Sequence, residues 1–347
     1  MLMNVIDGPY LRDLLDQPAA LRNTWENLSD DPDLRDLARD LHAGKYRRVV
    51  LTGMGSSYHA LYPLHLALTC SGYNSQLVET SELIHYMAEC LTADVLVVAV
   101  SQSGQSAETL ALLGLVNGRV PLIAVTNDAA SPLARRSDVR LLMHAGPESS
   151  VSCKTYLASL LTLEWLAAIL TAQDVAVVEQ ELEPAAAAVE LYLEGYETHV
   201  EYLREAVVGV RQLYVAGRGP SLATAGTGGL ILKESARFSA EGMSSAAFRH
   251  GPLEAVNSSV FVAVMAGDRR CEVLNRRLAR DIRHAGGRSE IVDMHDAQGP
   301  FLVPLVIERI RPILEILPIQ MLSLALAAMN GHQPGKFELA SKITATE

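Results

Sequence analysis

Four hydroxyl side chains crowd into nine residues at Ser101-Gln102-Ser103-Gly104-Gln105-Ser106-Ala107-Glu108-Thr109, directly behind the apolar run Val95–Val100. A run of β-branched and aliphatic residues that stops abruptly in serines and a glycine predicts a buried strand whose carboxyl end opens into a polar loop. Ser106 stands where a helix would begin, with Glu108 and Thr109 in its first turn and Leu110, Leu112, Leu113 and Leu115 continuing it. Hydroxyls and backbone N–H groups gathered at a strand-loop-helix junction suit a phosphate above other ligands. An ordinary capped turn uses the same residues, so the loop alone does not decide between them.

The surrounding pattern supplies the scaffold that such a loop needs. Arg48–Thr52 reads as a strand, Gly53-Met54-Gly55-Ser56-Ser57 as a tight loop and Tyr58–Cys70 as a helix. Strands at Gln76–Thr80, Val95–Val100, Pro121–Thr126 and Val139–Met143 alternate with helices at Leu83–Cys90 and Ala107–Asn117. Such alternation predicts a parallel sheet covered on both faces. Helices are expected before it, at Tyr10–Leu28 with a break at Gln17-Pro18, and at Asp31–Leu41. After Glu148 the pattern turns helical, with one long buried helix over Val151–Ala172 and a more polar one over Glu181–Tyr202.

Strand-helix alternation then resumes, and it resumes as a repeat. Gly53-Met54-Gly55 and Gly217-Arg218-Gly219 lie 164 positions apart, and the same offset carries Leu96–Val100 onto Val260–Val264. The copies are chemically unequal. At that offset Ser101 maps to Met265, Ser103 to Gly267 and Gly104 to Asp268. The second copy keeps the strand and loses the hydroxyls, and an acid there repels a phosphate, so one phosphate site per chain is expected, in the first copy.

Composition bounds the alternatives. A chain of 347 residues with 49% apolar and 20% charged residues is expected to fold as two domains. With a net charge of −11, 5% aromatic residues and no basic run, it is a poor nucleic-acid binder. Cys70, Cys90, Cys153 and Cys271 lack metal-ligand spacing and read as reduced thiols, with no metal site. Met1–Gln17 carries acids among its apolar residues and does not read as a signal peptide. Leu157–Leu170 and Ile313–Met329 are interrupted by Glu164, Glu315 and Gln320 and read as buried helices rather than membrane spans. A cytoplasmic location is expected.

Taken together the motifs resemble those of the sugar isomerase (SIS) domain family, and within it the double-domain isomerase half of glucosamine-6-phosphate synthase. The opening segment Leu14–Thr24, the loop Gly55-Ser56-Ser57-Tyr58, the hallmark Ser101-Gln102-Ser103-Gly104, Leu232-Lys233-Glu234 and His250-Gly251-Pro252-Leu253 carry the likeness. The resemblance implies two tandem SIS domains, each a parallel five-stranded sheet flanked by helices in a flavodoxin-like three-layer α/β/α arrangement. The corresponding boundaries are an N-terminal helical segment at 1–45, a first domain at 46–172, linking helices at 173–206, a second domain at 207–335 and a tail at 336–347. It also implies that Gly55, Ser56, Ser57, Ser101, Gln102, Ser103 and Ser106 hold the phosphate and sugar hydroxyls, with Val151 along the same pocket. Glu234 resembles the base that moves a proton between C1 and C2. His250 resembles the ring-opening residue, which the synthase draws from the neighbouring subunit, so a homodimer is implied. Neither metal nor organic cofactor is called for, because side chains can supply the polarisation and proton transfer.

Three departures from the synthase shape the expected function. Met1-Leu2 leads straight into the isomerase-like part, where the synthase carries a glutaminase domain, so no ammonia source is expected. Ile231 stands where the synthase has a further lysine. The tail reads Leu339-Ala340-Ser341-Lys342-Ile343-Thr344, which in strict register puts Ser341 at the position of the Schiff-base lysine, whereas aligning the Lys-Ile-Thr core gives Lys342 that part. The expected function is a phosphosugar isomerase or deaminase acting on an amino-sugar 6-phosphate or fructosamine-type 6-phosphate. The alternatives are a non-catalytic sugar-phosphate sensor and ammonia-dependent synthesis.

Overall fold

The computed structural model describes residues 6–339 and 342, and these divide into two compact units. One is formed by Ala19–Pro147 and Lys154–Glu183 and contains the first sheet. The other gathers the chain's start through Pro18, the short segment Glu148–Cys153 and Pro184–Leu339, and contains the second sheet.

In the first-sheet unit, β1 (Arg48–Gly53), β2 (Ser75–Glu79), β3 (Val95–Val100), β4 (Leu122–Thr126) and β5 (Val139–Leu142) pair in the order β2-β1-β3-β4-β5, all parallel. Every residue of β3 is buried. That follows from helices on both faces of the sheet, and each such valine is worth about 1.5–3 kcal/mol of burial. Elements fall close to where the pattern puts them, with informative shifts. The helix expected over Tyr58–Cys70 is two helices, Gly55–Ala60 and Tyr62–Cys70, the second with Pro63 in its first turn, where a missing N–H costs nothing. The long buried helix begins at Lys154 rather than Val151 and runs to Leu170. The segment expected as one polar helix over Glu181–Tyr202 is broken into Val175–Leu182, Ala185–Leu193 and Tyr196–Ala206, interrupted at Pro184 and Gly195.

The second-sheet unit repeats the topology. Its strands β6 (Gln212–Gly217), β7 (Ala240–Ser244), β8 (Val260–Met265) and β9 (Arg288–Val292) pair in the order β7-β6-β8-β9, again parallel. The α/β class with parallel sheets flanked by helices is as expected, but among the described residues this sheet has four strands and not five. Where a fifth would add, the chain makes only one parallel bridge, Asp293 to Leu302, with the Val303 N–H donating to the Asp293 carbonyl at 2.9 Å. Pro304 follows and has no N–H to extend the ladder.

Sheet register corrects the repeat. Arg48 pairs with Val95 and Gln212 with Val260, so the offset is 164 at the first strand and 165 at the next. The loop after β3 therefore corresponds to Ala266–Cys271, with Ala266 for Ser101, Asp268 for Ser103 and Cys271 for Ser106. Ser106 and Cys271 both occupy the N-cap of the following helix, which confirms this alignment. The loss of the hydroxyls in the second copy stands.

Glu308–Met329 is the one described stretch long and apolar enough to cross a membrane, and 94% of its apolar window is buried inside the protein. It is a core element: the helices Arg311–Glu315 and Leu317–Met329, of which the second packs against Tyr196–Ala206 and Ser221–Ala236.

Candidate functional site

The two loops singled out in the first-sheet unit leave from neighbouring strand ends. Gly53 and Val100 are paired across β1 and β3. The strand order reverses between β1 and β3, which makes this the topological switch point where open α/β sheets bind ligands. A side chain on Gly53 would come within 3.0 Å of the Val100 carbonyl and the Tyr58 N–H group, so only glycine lets the two loops approach. Gly55, with φ of +54°, opens the helix Gly55–Ala60, whose first turn carries Ser56, buried, and Ser57, half-buried.

The hallmark loop is held from within. The Ser101 hydroxyl accepts from the Gly104 N–H at 3.2 Å and the Ser103 hydroxyl from the Gln105 N–H at 3.4 Å. Gly104 has φ of +60°, and a Cβ there would lie 2.3 Å from the Ser131 hydroxyl. The Gln102 carbonyl accepts from Asn127 N–H at 3.1 Å, and Gly104's accepts from Leu133 N–H at 3.1 Å, so the loop rests on the segment after β4. Ser106 caps Ala107–Val116 by accepting from Thr109 N–H at 3.3 Å. The half-buried Ser101, Gln102, Ser103 and Ser106 and the helix N-terminus behind them form a cradle of donors for an anion. Asn127 and Ser131, which brace the cradle, carried no signal beyond their turn-forming type.

The remaining candidates are in the second-sheet unit, apart from Lys342. Glu234 is half-buried in the last turn of the helix Ser221–Ala236. That helix lies backbone to backbone on β7. A Cβ on Gly242 would strike the Ala225 carbonyl and one on Gly229 the backbone at Glu241 and Gly242, so the helix runs antiparallel to the strand. Glu234 is therefore level with the start of β7, at the amino edge of the sheet. His250 is exposed and follows β7 and the short helix Ser245–Phe248, whose Phe248 packs edge-on against Tyr214 and whose neighbour Arg249 pairs with Asp281 at 2.7 Å, on the face of the sheet opposite the helix Ser221–Ala236, which meets Val215.

Glu234 has neighbours that the motifs did not point to. Tyr10 is wholly buried, its hydroxyl 3.2 Å from the Ser323 hydroxyl, and Cys153 and Glu234 both act on it electrostatically. Burial, reinforced by those two groups, pushes its phenol far above the ordinary tyrosine range, so it stays a neutral donor. Gly335 closes the arrangement: its N–H donates to the Ser235 carbonyl at 3.1 Å and its carbonyl accepts from the Ser150 hydroxyl at 2.6 Å. Arg237, in the left-handed conformation at the helix end, donates to the Lys336 carbonyl at 2.9 Å and pairs with Glu338 at 2.7 Å. Val151, buried between Ser150 and Ser152, belongs to this cluster. Only the spacing of the tail from Glu234 along the chain, invisible to local patterns, would have revealed it. Lys342 is half-buried, and Ser341, the other candidate of the tail, lies outside the described residues.

The fold and the serine cradle define a class. Residues 44–169, which include β1 to β5 and both loops, match the SIS domain family. The relatives extend the likeness along the chain. It is 30% identical over 353 residues to glutamine--fructose-6-phosphate aminotransferase [isomerizing] of Pyrococcus horikoshii, covering 96% of this chain and 57% of that protein. The chain thus spans a little over half the length of the curated relative. Among solved structures, the C-terminal domain of glucosamine-fructose-6-phosphate aminotransferase from Francisella tularensis superposes with a TM-score of 0.83 at 21% identity, covering 96% of this chain and 99% of that one. Glucosamine-6-phosphate deaminase from Thermotoga maritima does so with 0.80 at 18% identity, covering 98% and 100%. These two are likenesses of fold.

Proposed function

We propose that the chain acts on a phosphorylated sugar, interconverting the aldose and ketose forms of an amino-sugar 6-phosphate or fructosamine-type 6-phosphate and releasing the amine. The observation that carries this reading is the serine cradle at the β1/β3 switch point, inside the segment that matches the SIS domain. In it Ser56, Ser57, Ser101, Gln102 and Ser103 anchor the phosphate and hydroxyls, with Gly55 and Ser106 shaping the loops. Glu234 takes the proton from C2 of the open-chain sugar and returns it to C1. His250, supplied by the second subunit of a homodimer, opens the ring. Lys342 forms a Schiff base with the carbonyl, with loss of water, and hydrolysis undoes it. The second-sheet unit is read as a second, altered SIS domain spanning about residues 207–335.

The test is turnover with glucosamine 6-phosphate, fructose 6-phosphate and fructosamine 6-phosphates. Expected are an isomerised sugar and free amine from the wild type, and from Glu234→Gln a loss of turnover with binding retained. Absence of both products across the panel overturns the proposal. A sugar-phosphate sensor is the second reading, favoured by Ile231, a wholly buried aliphatic where the synthase has a lysine. It predicts that Glu234→Gln leaves every function of the protein unchanged.

A further inference from the structure

We propose that the second-sheet unit carries its own ligand site, for a zwitterionic amino acid with an apolar side chain, in the cavity beyond the carboxyl ends of β8 and β9. The cavity measures about 660 Å³ and is walled by the loop that replaces the serine hallmark, by the turn after β9 and by the segment 305–311. It lies at the carboxyl end of the sheet, one strand over from the β6/β8 switch point.

Arg311 is the anchor. Its side chain is only 15% exposed, its Nε is buried without a hydrogen-bond partner, and its closest carboxylate oxygen, on Asp293, is 4.0 Å from Nη1. Asp293 is already engaged by the Arg276 guanidinium and by the Asp296 N–H at 3.2 Å. A largely buried guanidinium with no hydrogen bond among the described residues is costly, and a planar carboxylate satisfies it in bidentate fashion.

A bare dianion is a poor occupant. Asp268, the counterpart of Ser103, and Glu308 both line the cavity and would repel it. The same two acids suit an ammonium group: Asp268 Oδ1 is taken by the Arg270 N–H at 3.0 Å, while its Oδ2 has only Arg270 Nε at 4.0 Å. Leu305 and Ile307, 68% and 42% exposed, also line the cavity and offer an apolar surface for a side chain. Carboxylate, ammonium and aliphatic group are together an α-amino acid.

The experiment is calorimetric titration of the full chain with L-leucine, 4-methylpentanoate, which lacks the amine, leucinol, which lacks the carboxylate, and inorganic phosphate. Leucine is expected to bind at one site per chain, with both truncated analogues weaker by about tenfold or more. Arg311→Met is expected to abolish leucine binding while glucosamine 6-phosphate binding, a property of the other unit, is unchanged. Should that variant not fold, Asp268→Asn decides, and it should erase the preference for leucine over 4-methylpentanoate. The proposal is overturned if leucine binds no better than its analogues, if phosphate displaces it, or if Asp268→Asn or a folded Arg311→Met binds leucine as the wild type does. Failure of glucosamine 6-phosphate to bind would count against the proposed function alone.

Discussion

Glu315 sits where no water reaches, its carboxylate 3.0 Å from the Ser221 hydroxyl and 3.5 Å from that of Thr224, at 1% exposure. Burial raises its pKa from 4.5 to about 7, against the opposing pull of Ser221, Arg311 and Thr224. The native state thus holds a proton that the unfolded chain has released. Stability is full below about pH 4.5, falls as pH rises to about 7 and is level above it, a loss of about 3 kcal/mol. Glu315→Gln keeps the acceptor for Ser221 without the charge, so its denaturant midpoint should barely change between pH 5 and pH 8 while the wild type's drops. An equal drop in both would refute the assignment. Ser103 offers a second residue-scale test, taken from the chain's own repeat. Ser103→Asp copies Asp268 into the cradle and should weaken glucosamine 6-phosphate by about a hundredfold, through repulsion and a lost donor. Unchanged affinity by calorimetry would remove the cradle from the site. The cradle serines were legible because hydroxyls after an apolar run are a local signal. Tyr10, Ser235 and Gly335 were not, because what joins them to Glu234 is packing between distant segments.

At the scale of elements, the sharpest demand on the sequence is the contact between β7 and the helix Ser221–Ala236. A Cβ on Gly242 would lie 1.8 Å from the Ala225 carbonyl, and backbone cannot yield as a side chain does. Gly242→Ala should cost about 3 kcal/mol or more and lower the melting temperature accordingly. Gly114, in the helix Ala107–Val116 with nothing within 4 Å of its Cβ position, is the matched control. Gly114→Ala should stabilise by about 0.5–1 kcal/mol, since there alanine only improves helix propensity. If both substitutions proved neutral, the backbone contact would not exist as described. The strands β1, β3, β4, β6 and β8 were readable as apolar runs, whereas β7, Ala240-Glu241-Gly242-Met243-Ser244, and β9, Arg288-Ser289-Glu290-Ile291-Val292, carry no such run and gave no signal. The second sheet's fifth strand was implied by the family resemblance, and Pro304 is the residue that denies it. The one-position slip in the repeat was hidden because both offsets place an apolar residue on an apolar residue over Val260–Val264.

For the whole molecule, the duplication was legible from an offset in the sequence, whereas the strand orders β2-β1-β3-β4-β5 and β7-β6-β8-β9 emerge only in the structure and the assembly is a matter of geometry. Glu234 and His250 are carried by segments packed on opposite faces of the second sheet. In the homodimer proposed above, an isologous interface would present each chain's His250 to its partner's site. The consequence is measurable without a structure of the assembly. Glu234→Gln and His250→Ala should each be inactive alone. When the two are mixed, unfolded and refolded together, half of the dimers are mixed, and in each of these one site has both wild-type residues and the other has neither. About a quarter of wild-type activity should then return, independent of which protein carries an affinity tag. If His250 served its own chain, every site in the mixture would lack one residue and no activity would return. Recovery also requires that both residues are needed for turnover, so the same experiment separates an enzyme that completes its site across the dimer from a binding protein that has none to complete.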